Sequence, residues 1–415
     1  MRTKREIAKE IAPRYQRARK KEKTKILDEF VKLTDYTRCY ASWLLRNCGR
    51  KVVMKGKGGQ RVIFVGEIRK QKRKRKRVYD EEVLKPLKRI WYIMDFPCGK
   101  RLQPSLKWMV PKLQQHGELR ISKEVKEKLL RISASTIDRL LRSEKRKMEL
   151  KPKAKTKPGT LLKHQIPIRT FSEWDVRRPG FVEIDLVSHD GGNVRGDFIQ
   201  TLDVTDVATS WTETEAVKNR AQVWVFEALK RIQKRLPFEL LGIDSDNDSA
   251  FINAHLLRYC QENNLTFTRT RAYKKNDNCY VEQKNWTVVR KTVGYLRYDT
   301  EEELKTLNEL YKWLRLYTNF FQPTMKLIEK QRVGSKVRKK YDEPRTPYHR
   351  VLESQWVNKE NKEKLKSQYD ELNPVELKRK IVRLQNKLFK LQELKKGCNK
   401  KEYCLNFHID SYMRQ

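Results

Sequence analysis

The stretch Phe181-Val182-Glu183-Ile184-Asp185-Leu186-Val187 decides the fold of this 415-residue chain, because a helical pattern gives way there to an alternating one. Alternation of this kind predicts a β-strand. Asp190-Gly191-Gly192 then supplies turn residues, and the run from Phe198 to Val204 alternates again. The two runs therefore predict an antiparallel hairpin, with Asp185 at the end of an apolar run in its first strand.

The residues that follow this hairpin predict a regular series of strands and helices. They are a strand at 211–217, a helix at 223–236, a strand at 240–244, a helix at 253–262, a strand at 265–269 and a helix at 277–293. Three antiparallel strands followed by helix, strand, helix, strand and helix is the order of an RNase H-like α/β core. The strand at 240–244 is expected to run parallel to the first.

Three acidic residues fall where this topology can bring them together. Asp185 lies in the first strand, Asp246 follows the strand at 240–244, and Glu282 lies on the last helix, with 35 residues between it and Asp246. Carboxylate oxygens suit Mg²⁺ or Mn²⁺, and a pair of such ions can drive in-line displacement at a phosphodiester. In so basic a protein, converging carboxylates are best explained as a cage for divalent metal.

The charge of the chain indicates a polyanionic partner. Lys and Arg number 95 against 52 Asp and Glu, a formal net charge of +43, which favours nucleic acid. On charge alone, a ribosomal or chromatin-type binding protein remains an alternative. The chain has no run of about 18 apolar residues that would predict a membrane span, and its basic N-terminal residues lack the apolar stretch of a secretory signal. Seven scattered cysteines favour a reducing compartment, so we expect a cytoplasmic, nucleoid-associated protein.

Two segments before the hairpin predict helix-turn-helix DNA-binding modules. In the first, Thr37 and Arg38 open a helix that would face a groove of DNA, and a plain helical hairpin is the alternative. In the second, short polar residues start a helix after a turn, which suits contact with base edges. The residues expected to touch DNA there are Ser133, Ser135, Thr136 and Arg139.

The chain is thus predicted to be multidomain, with all-α N-terminal modules, a central α/β core and a small β-rich segment before a helical tail. The predicted segments are a helix-turn-helix module at 1–60, a basic linker at 61–78, a second helix-turn-helix module at 79–144, a basic linker at 145–172, the catalytic core at 173–318, a DNA-binding or assembly segment at 319–372 and the tail at 373–415. Leucines and one isoleucine recur along the tail at 4-3-4-3 spacing. They predict either a coiled coil or a helix that packs on its own domain.

Three motifs resemble those of the D…D…E transposase and integrase superfamily, and within it a bacterial insertion-sequence transposase with a retroviral-integrase-type core. They are Glu183-Ile-Asp185, Ser245-Asp-Asn-Asp-Ser-Ala-Phe251 and Asn276-Asp-Asn-Cys-Tyr-Val-Glu-Gln-Lys-Asn-Trp286. The likeness extends to 319–327 and 341–348. It implies that Asp185, Asp246 and Glu282 are the catalytic metal ligands, holding two Mg²⁺ or Mn²⁺ ions.

The resemblance also implies an activity and its partners. A transposase would bind the terminal inverted repeats of a mobile element, free 3′-OH ends and join them to target DNA. It would act as a dimer or larger assembly on double-stranded DNA. Lys284 and Arg290, on the helix after Glu282, would hold the DNA end.

The chain departs from the family pattern beside the second ligand. Asp248 stands where the family has Gly, and Ala250 stands where it commonly has Glu. Asp244 competes with Asp246 as second ligand because it lies two residues earlier on the same strand face, although the match to Asp-Asn favours Asp246. The alternatives to a transposase are a catalytically weak or non-enzymatic DNA-binding repressor, left over from an element, and an RNase H-like nuclease.

Overall fold

A computed structural model of the chain describes residues 2–56, 59–65, 78–147, 177–246, 250–251, 254–269, 279–333 and 336–395. It divides into two compact units, Met1–Val78 and Tyr79–Gln415. Most of both predicted basic linkers, Asp248 and the end of the tail from 396 onward lie outside the described residues.

The first unit is a three-helix bundle followed by a hairpin. Its elements are α1 (Arg2–Arg17), α2 (Lys20–Thr34), α3 (Arg38–Asn47), β1 (Lys51–Gly56) and β2 (Gly59–Phe64), with β1 and β2 antiparallel. The buried side chains of Ala8, Phe30 and Leu45 lie in the core that the three helices share. Three residues join α2 to α3, and the first of them, Asp35, turns the chain with a left-handed φ of 53°. The described geometry is thus helix, short turn, helix.

The second unit starts with five helices. They are α4 (Glu81–Ile93), α5 (Gly99–Gln115), α6 (Lys123–Arg131), α7 (Ala134–Leu140) and α8 (Arg142–Lys147). Asp80 and Ser122 accept hydrogen bonds from backbone N–H groups and so cap α4 and α6. Their apolar faces share one hydrophobic core with residues of the central sheet and of the C-terminal helices. The segment predicted as a second module is therefore part of the same compact unit as the core.

The remaining elements of this unit surround a five-stranded mixed sheet. In chain order they are β3 (Phe181–Ser188), β4 (Gln200–Asp206), β5 (Thr212–Val217), α9 (Gln222–Gln233), β6 (Gly242–Ser245), α10 (Ala254–Glu262), β7 (Thr266–Arg269), α11 (Cys279–Lys284), a π-helical segment (Asn285–Arg290), α12 (Lys291–Val293), α13 (Glu301–Phe321), β8 (Leu327–Val333), β9 (Lys336–Tyr341), α14 (Pro347–Glu353), α15 (Lys359–Glu371) and α16 (Pro374–Lys395).

The strand order of the central sheet is β5-β4-β3-β6-β7. Strands β3, β4 and β5 pair antiparallel, whereas β6 and β7 run parallel to β3. The predicted order of strands and the parallel fourth strand are confirmed. This order, with helices between the later strands, is the RNase H-like arrangement.

The alternation in β3 gives the sheet two different faces. Val182 and Ile184 point to an apolar layer that α9 and α10 complete, together with Leu202 and Ile243 of neighbouring strands. The residues between them point to the other face, which α11 approaches through its contacts with β3 and β4. The apolar face anchors the sheet, and the opposite face is left for acidic side chains.

The C-terminal part of the unit, as far as the structure describes it, contains one β-hairpin and three helices, so the segment predicted to be β-rich also holds α14 and α15. Strands β8 and β9 form an antiparallel hairpin. Helix α16 packs along α13, and its stripe of Leu377, Ile381, Leu384 and Leu388 is buried there. Of the two alternatives for the tail, the structure supports packing on its own domain. Within the described residues, no helix has the length and apolar character needed to cross a membrane.

Candidate active site

Three aspartates lie side by side on the second face of the sheet. Asp185 is directly opposite Asp203 in the antiparallel pair of β3 and β4. On its other side Ile184 is the parallel partner of Ser245, so Asp246, the next residue, follows β6 beside Asp185. Residues in register on neighbouring strands point to the same face. The sheet thus brings Asp185 and Asp246 together, as the sequence predicted.

The electrostatics of Asp185 agree with this closeness. Burial raises the pKa of its carboxyl well above the usual range, and the nearby charge of Asp246 raises it further. Hydrogen bonds from the backbone N–H of Leu186, at 2.8 Å, and from the Asn285 side chain, at 2.6 Å, oppose this rise. Two carboxylates held this close favour either a proton or a cation between them.

Asp203 lies inside β4, away from the turn that follows this strand. Its side chain is fully buried, and its Oδ2 atom has no hydrogen-bond partner. Burial raises the pKa of Asp203 to about 8, against the opposing effect of Lys284. Burial also lowers the pKa of Lys284 to about 8, against the effect of Asp203. The turn after β4 is capped by Asp206, whose carboxylate accepts hydrogen bonds from the backbone N–H groups of Gly180 and Thr209.

Asp244 and Glu183 form a deeper pair on the same face, one strand repeat before Asp246 and Asp185. They are parallel partners in the register and both are fully buried. Asp244 accepts a hydrogen bond of 2.6 Å from the hydroxyl of Thr268 on β7. Asp244 is thus engaged inside the sheet, whereas the half-buried Asp246 acts on Asp185. This supports Asp246 as the second ligand.

Glu282 lies on α11, which leads directly into the π-helical segment. Its side chain is exposed. Asn285, three residues later, points at the sheet and donates its hydrogen bond to Asp185. π-Helical turns are rare and are frequent at functional sites. The helix that carries the third predicted ligand is therefore tied to the first.

The donor set fits a hard divalent cation, although the cage is only partly assembled. Among the residues that the structure describes, no three or more His, Cys, Asp or Glu side chains are grouped to hold a metal ion. Asp185 and Asp246 are brought together, and Glu282 is exposed on the neighbouring helix. Paired carboxylate oxygens on a rigid sheet are ligands that Mg²⁺ and Mn²⁺ accept.

His189 lies in the connection after β3, and its side chain is directed into the core. It is fully buried and hydrogen-bonded through Nε2 to Thr201, whose hydroxyl contacts Tyr311. Burial lowers the pKa of His189 to about 3, with a further contribution from Arg290. A neutral imidazole packed against the ring of Tyr298 is a core residue of this fold.

Two of the predicted DNA contacts, Lys284 and Arg290, are turned inward. Lys284 is 5% exposed, and its ammonium group donates to the carbonyl of Ser210. Arg290 donates to the carbonyl of Ser188 at 2.7 Å. In this structure both cations hold the helix on the sheet rather than face outward to DNA. A basic residue looks the same in sequence whether its helix position is exposed or buried, so the sequence could not show which way these two side chains point.

The other predicted DNA contacts lie on outward faces. Thr37 and Arg38 are exposed at the start of α3, and Arg38 pairs with Asp28 of α2. On α7, Ser135 and Arg139 are exposed and Thr136 is half-buried, while Ser133 caps the helix by accepting the N–H of Thr136. The residues lining an open depression of about 440 Å³ on this face are Ser135, Thr136, Asp138, Arg139 and Arg142.

Comparisons with known proteins give one clear relative. The uncharacterized protein y4rM of Sinorhizobium fredii (strain NBRC 101917 / NGR234) is 38% identical over 356 residues, covering 84% of this chain and 95% of y4rM. No protein-family model matches the chain.

Solved structures similar to the chain are retroviral integrase catalytic cores. That of BIV integrase is 15% identical and covers 42% of this chain and 95% of its own, with a TM-score of 0.29. That of HTLV-2 integrase in complex with magnesium, in a dimeric form, is 12% identical and covers 35% and 90%, with a TM-score of 0.27. TM-scores this low do not establish a common fold, so the RNase H-like assignment rests on the strand order and register described above.

Proposed function

We propose that this chain, which belongs to the same family as the uncharacterized protein y4rM of Sinorhizobium fredii, is a DNA transposase. It would bind the terminal inverted repeats of a mobile element, cleave to free 3′-OH ends and join them to target DNA by metal-dependent phosphoryl transfer. The observation that carries the proposal is the placement of Asp185 beside Asp246 on neighbouring central strands of an RNase H-like sheet. The sequence motifs around both residues support the same reading.

The site residues have distinct roles in this proposal. Mg²⁺ or Mn²⁺, held by Asp185, Asp246 and Glu282, would activate a water or 3′-hydroxyl and stabilise the departing oxygen. Asp185 is oriented for this by the amide of Asn285. Glu282 lies on α11, which the Asn285 hydrogen bond ties to Asp185, and would supply the third carboxylate. No covalent enzyme intermediate is required, because the attacking groups are water and a DNA hydroxyl.

DNA binding is supported by charge and by the exposed helix starts. The net charge of +43 favours a polyanion, and phosphate contacts require only a density of positive charge. The starts of α3 and α7 present hydroxyl and guanidinium groups of the kind that contact base edges and phosphates. Pairing two element ends requires at least two protomers, so a dimer or larger assembly would form on DNA.

The test is a strand-transfer assay on labelled duplexes that carry both ends of the DNA segment encoding the chain, with Mg²⁺ or Mn²⁺ added. The wild-type chain is expected to join the ends to target DNA. The variants Asp185→Asn, Asp246→Asn and Glu282→Gln are expected to lose joining and cleavage together. Glu227→Gln, on the exposed side of α9, is the control because it removes a surface carboxylate away from the site.

The alternatives give different results in this assay. Cleavage without joining would indicate a nuclease with the same core. Binding of the duplex ends without any metal-dependent reaction would indicate a repressor. Ala250 gives no support to the repressor, because it is buried with Ile184 and Leu202 on the apolar face, opposite to Asp185. A Glu at position 250 would therefore lie on the face of the sheet opposite to Asp185.

A further inference from the structure

The helix that carries Glu282 is fastened to β3 on both sides of that residue. Before it, the Oε2 atom of Glu183 accepts the backbone N–H groups of Tyr280 and Val281, at 2.9 and 3.0 Å. After it, Asn285 donates to Asp185 at 2.6 Å. Both anchors belong to one strand, and they are two residues apart on it. The backbone of Glu282 is therefore held between two fixed points of the strand that also supplies the first ligand.

Glu183 is suited to this holding role by its own surroundings. It is fully buried, and one carboxylate oxygen serves two amide groups in the first turn of α11. Those amides have no partner within the helix, and a negative charge at a helix N-terminus is favourable. Since the residue points to the same face as Asp185, the length of its side chain sets how closely α11 approaches the sheet.

We propose that Glu183 is a positioning residue for the reaction, which fixes where Glu282 stands relative to Asp185 and Asp246. The inference rests on the proposed function, in which Glu282 is a metal ligand. Without Glu183, the first turn of α11 loses its acceptor and the third carboxylate loses its defined distance from the other two. Outer groups that orient metal ligands typically change metal affinity or activity by about 10- to 100-fold when removed.

The chain offers a matched control in Glu303 at the start of α13. Its Oε2 atom accepts the N–H groups of Asp299 and Thr300, at 2.9 and 3.0 Å, and the residue is fully buried. Glu303→Ala thus removes a buried carboxylate that accepts two N–H groups, together with its ion pair to Lys395, from a helix that carries none of the predicted ligands. Any loss of activity through general destabilisation should appear in both alanine variants.

The experiment compares the full-length wild-type chain with Glu183→Ala, Glu183→Gln and Glu303→Ala. Mn²⁺ binding is followed by electron paramagnetic resonance of the free ion, and amide exchange of a peptide spanning 279–284 by mass spectrometry. Glu183→Ala is expected to weaken Mn²⁺ binding by about 10- to 100-fold and to speed exchange in that peptide. Glu303→Ala is expected to change neither.

Glu183→Gln keeps an oxygen acceptor at the same reach, so it should fold even if the alanine variant does not. It is expected to show a smaller loss of Mn²⁺ affinity than Glu183→Ala, with slower exchange. If the wild-type chain binds Mn²⁺ and joins ends, and both Glu183 variants bind Mn²⁺ equally well, the inference is overturned while the proposed function stands. If the wild-type chain neither binds Mn²⁺ nor joins ends, the proposed function fails first and the inference falls with it.

Discussion

The side-chain amide of Asn285 donates a hydrogen bond of 2.6 Å to Oδ2 of Asp185, across 100 residues of sequence. The bond joins a π-helical turn to the central strand of the sheet. It fixes one oxygen of the Asp185 carboxylate and opposes the rise in pKa that burial and Asp246 impose. In the proposed enzyme, that oxygen would be oriented before any metal arrives.

Asn285→Ala is expected to lower metal-dependent strand transfer by about 10- to 100-fold, because the Asp185 carboxylate loses its orienting donor. The measurement is the joining rate as a function of Mn²⁺ concentration. Thr287→Ala, an exposed position in the same π-helical segment, is the control. An unchanged joining rate for Asn285→Ala would mean that the hydrogen bond has no part in the reaction.

Asp185→Asn is expected to stabilise the metal-free protein near neutral pH. The folded pKa of Asp185 is raised above its ordinary value of 3.8, so the folded state keeps a proton that the unfolded chain releases. Stability is therefore lost as the pH rises through this interval, and Asn, which cannot ionise, avoids the loss. Thermal unfolding in chelator should show a gain at about pH 7 that shrinks toward about pH 4. A gain that grows on acidification would contradict the raised pKa.

Asp244→Asn and Asp246→Asn should separate the two candidates for the second ligand. Asp244 accepts the hydroxyl of Thr268 inside the sheet, and the amide oxygen of Asn can accept the same bond. Asp246 acts on Asp185, and Asn there would remove a metal-binding charge. Strand-transfer assays should show joining by Asp244→Asn and none by Asp246→Asn. The reverse result would move the second ligand to Asp244.

Leu388→Ala is expected to lower the free energy of unfolding by about 2–5 kcal/mol without changing the oligomeric state. Leu388 is fully buried where α16 packs on α13, so its stripe is already covered within the chain. Denaturant unfolding and light scattering measure the two quantities. Leu394→Ala, 78% exposed on the same helix, should leave both unchanged. A shift in molar mass for Leu388→Ala would instead assign the stripe to contacts between protomers.

Arg139→Ala is expected to weaken binding of the duplex ends and to reduce the salt slope of binding by about 1, as for one lost phosphate contact. Because the Arg139 side chain is exposed, the substitution should leave thermal stability unchanged. Fluorescence anisotropy at several salt concentrations measures the slope, and Lys364→Ala on α15 is the control for loss of a surface charge. Equal effects of both variants would argue against a specific DNA contact at α7.

Local pattern was sufficient for the order of strands and helices in the core. The alternation in Phe181–Val187 predicted β3, which spans Phe181–Ser188, and the order of elements predicted the parallel strand after α9. Asp185 and Asp246 were identified because each ends or follows an apolar run, and a residue within a central strand can lie beside one that follows a neighbouring parallel strand. These inferences depend only on residues near each other in sequence.

Side-chain direction in helices and cross-strand partners could not be read in the same way. The sequence placed Asp203 in the second strand of the hairpin but did not show that it lies opposite Asp185, because that register depends on the packing of the whole sheet. Lys284 was assigned to DNA because its burial depends on where α11 meets β4. The two roles of Glu183 and Asn285 depend on contacts across about 100 residues, which no local pattern contains.

The sequence by itself determined the class of fold, the excess of positive charge and the three carboxylates, because periodicity, composition and motif spacing are local properties. The tertiary structure decided which carboxylates meet, which cations are buried and where the apolar stripe of α16 is covered. Those outcomes depend on the register of β3 with its two neighbours and on the docking of α11 and α16. Register and docking are set by packing over the whole core, because a shift of one residue would turn each acidic side chain to the apolar face.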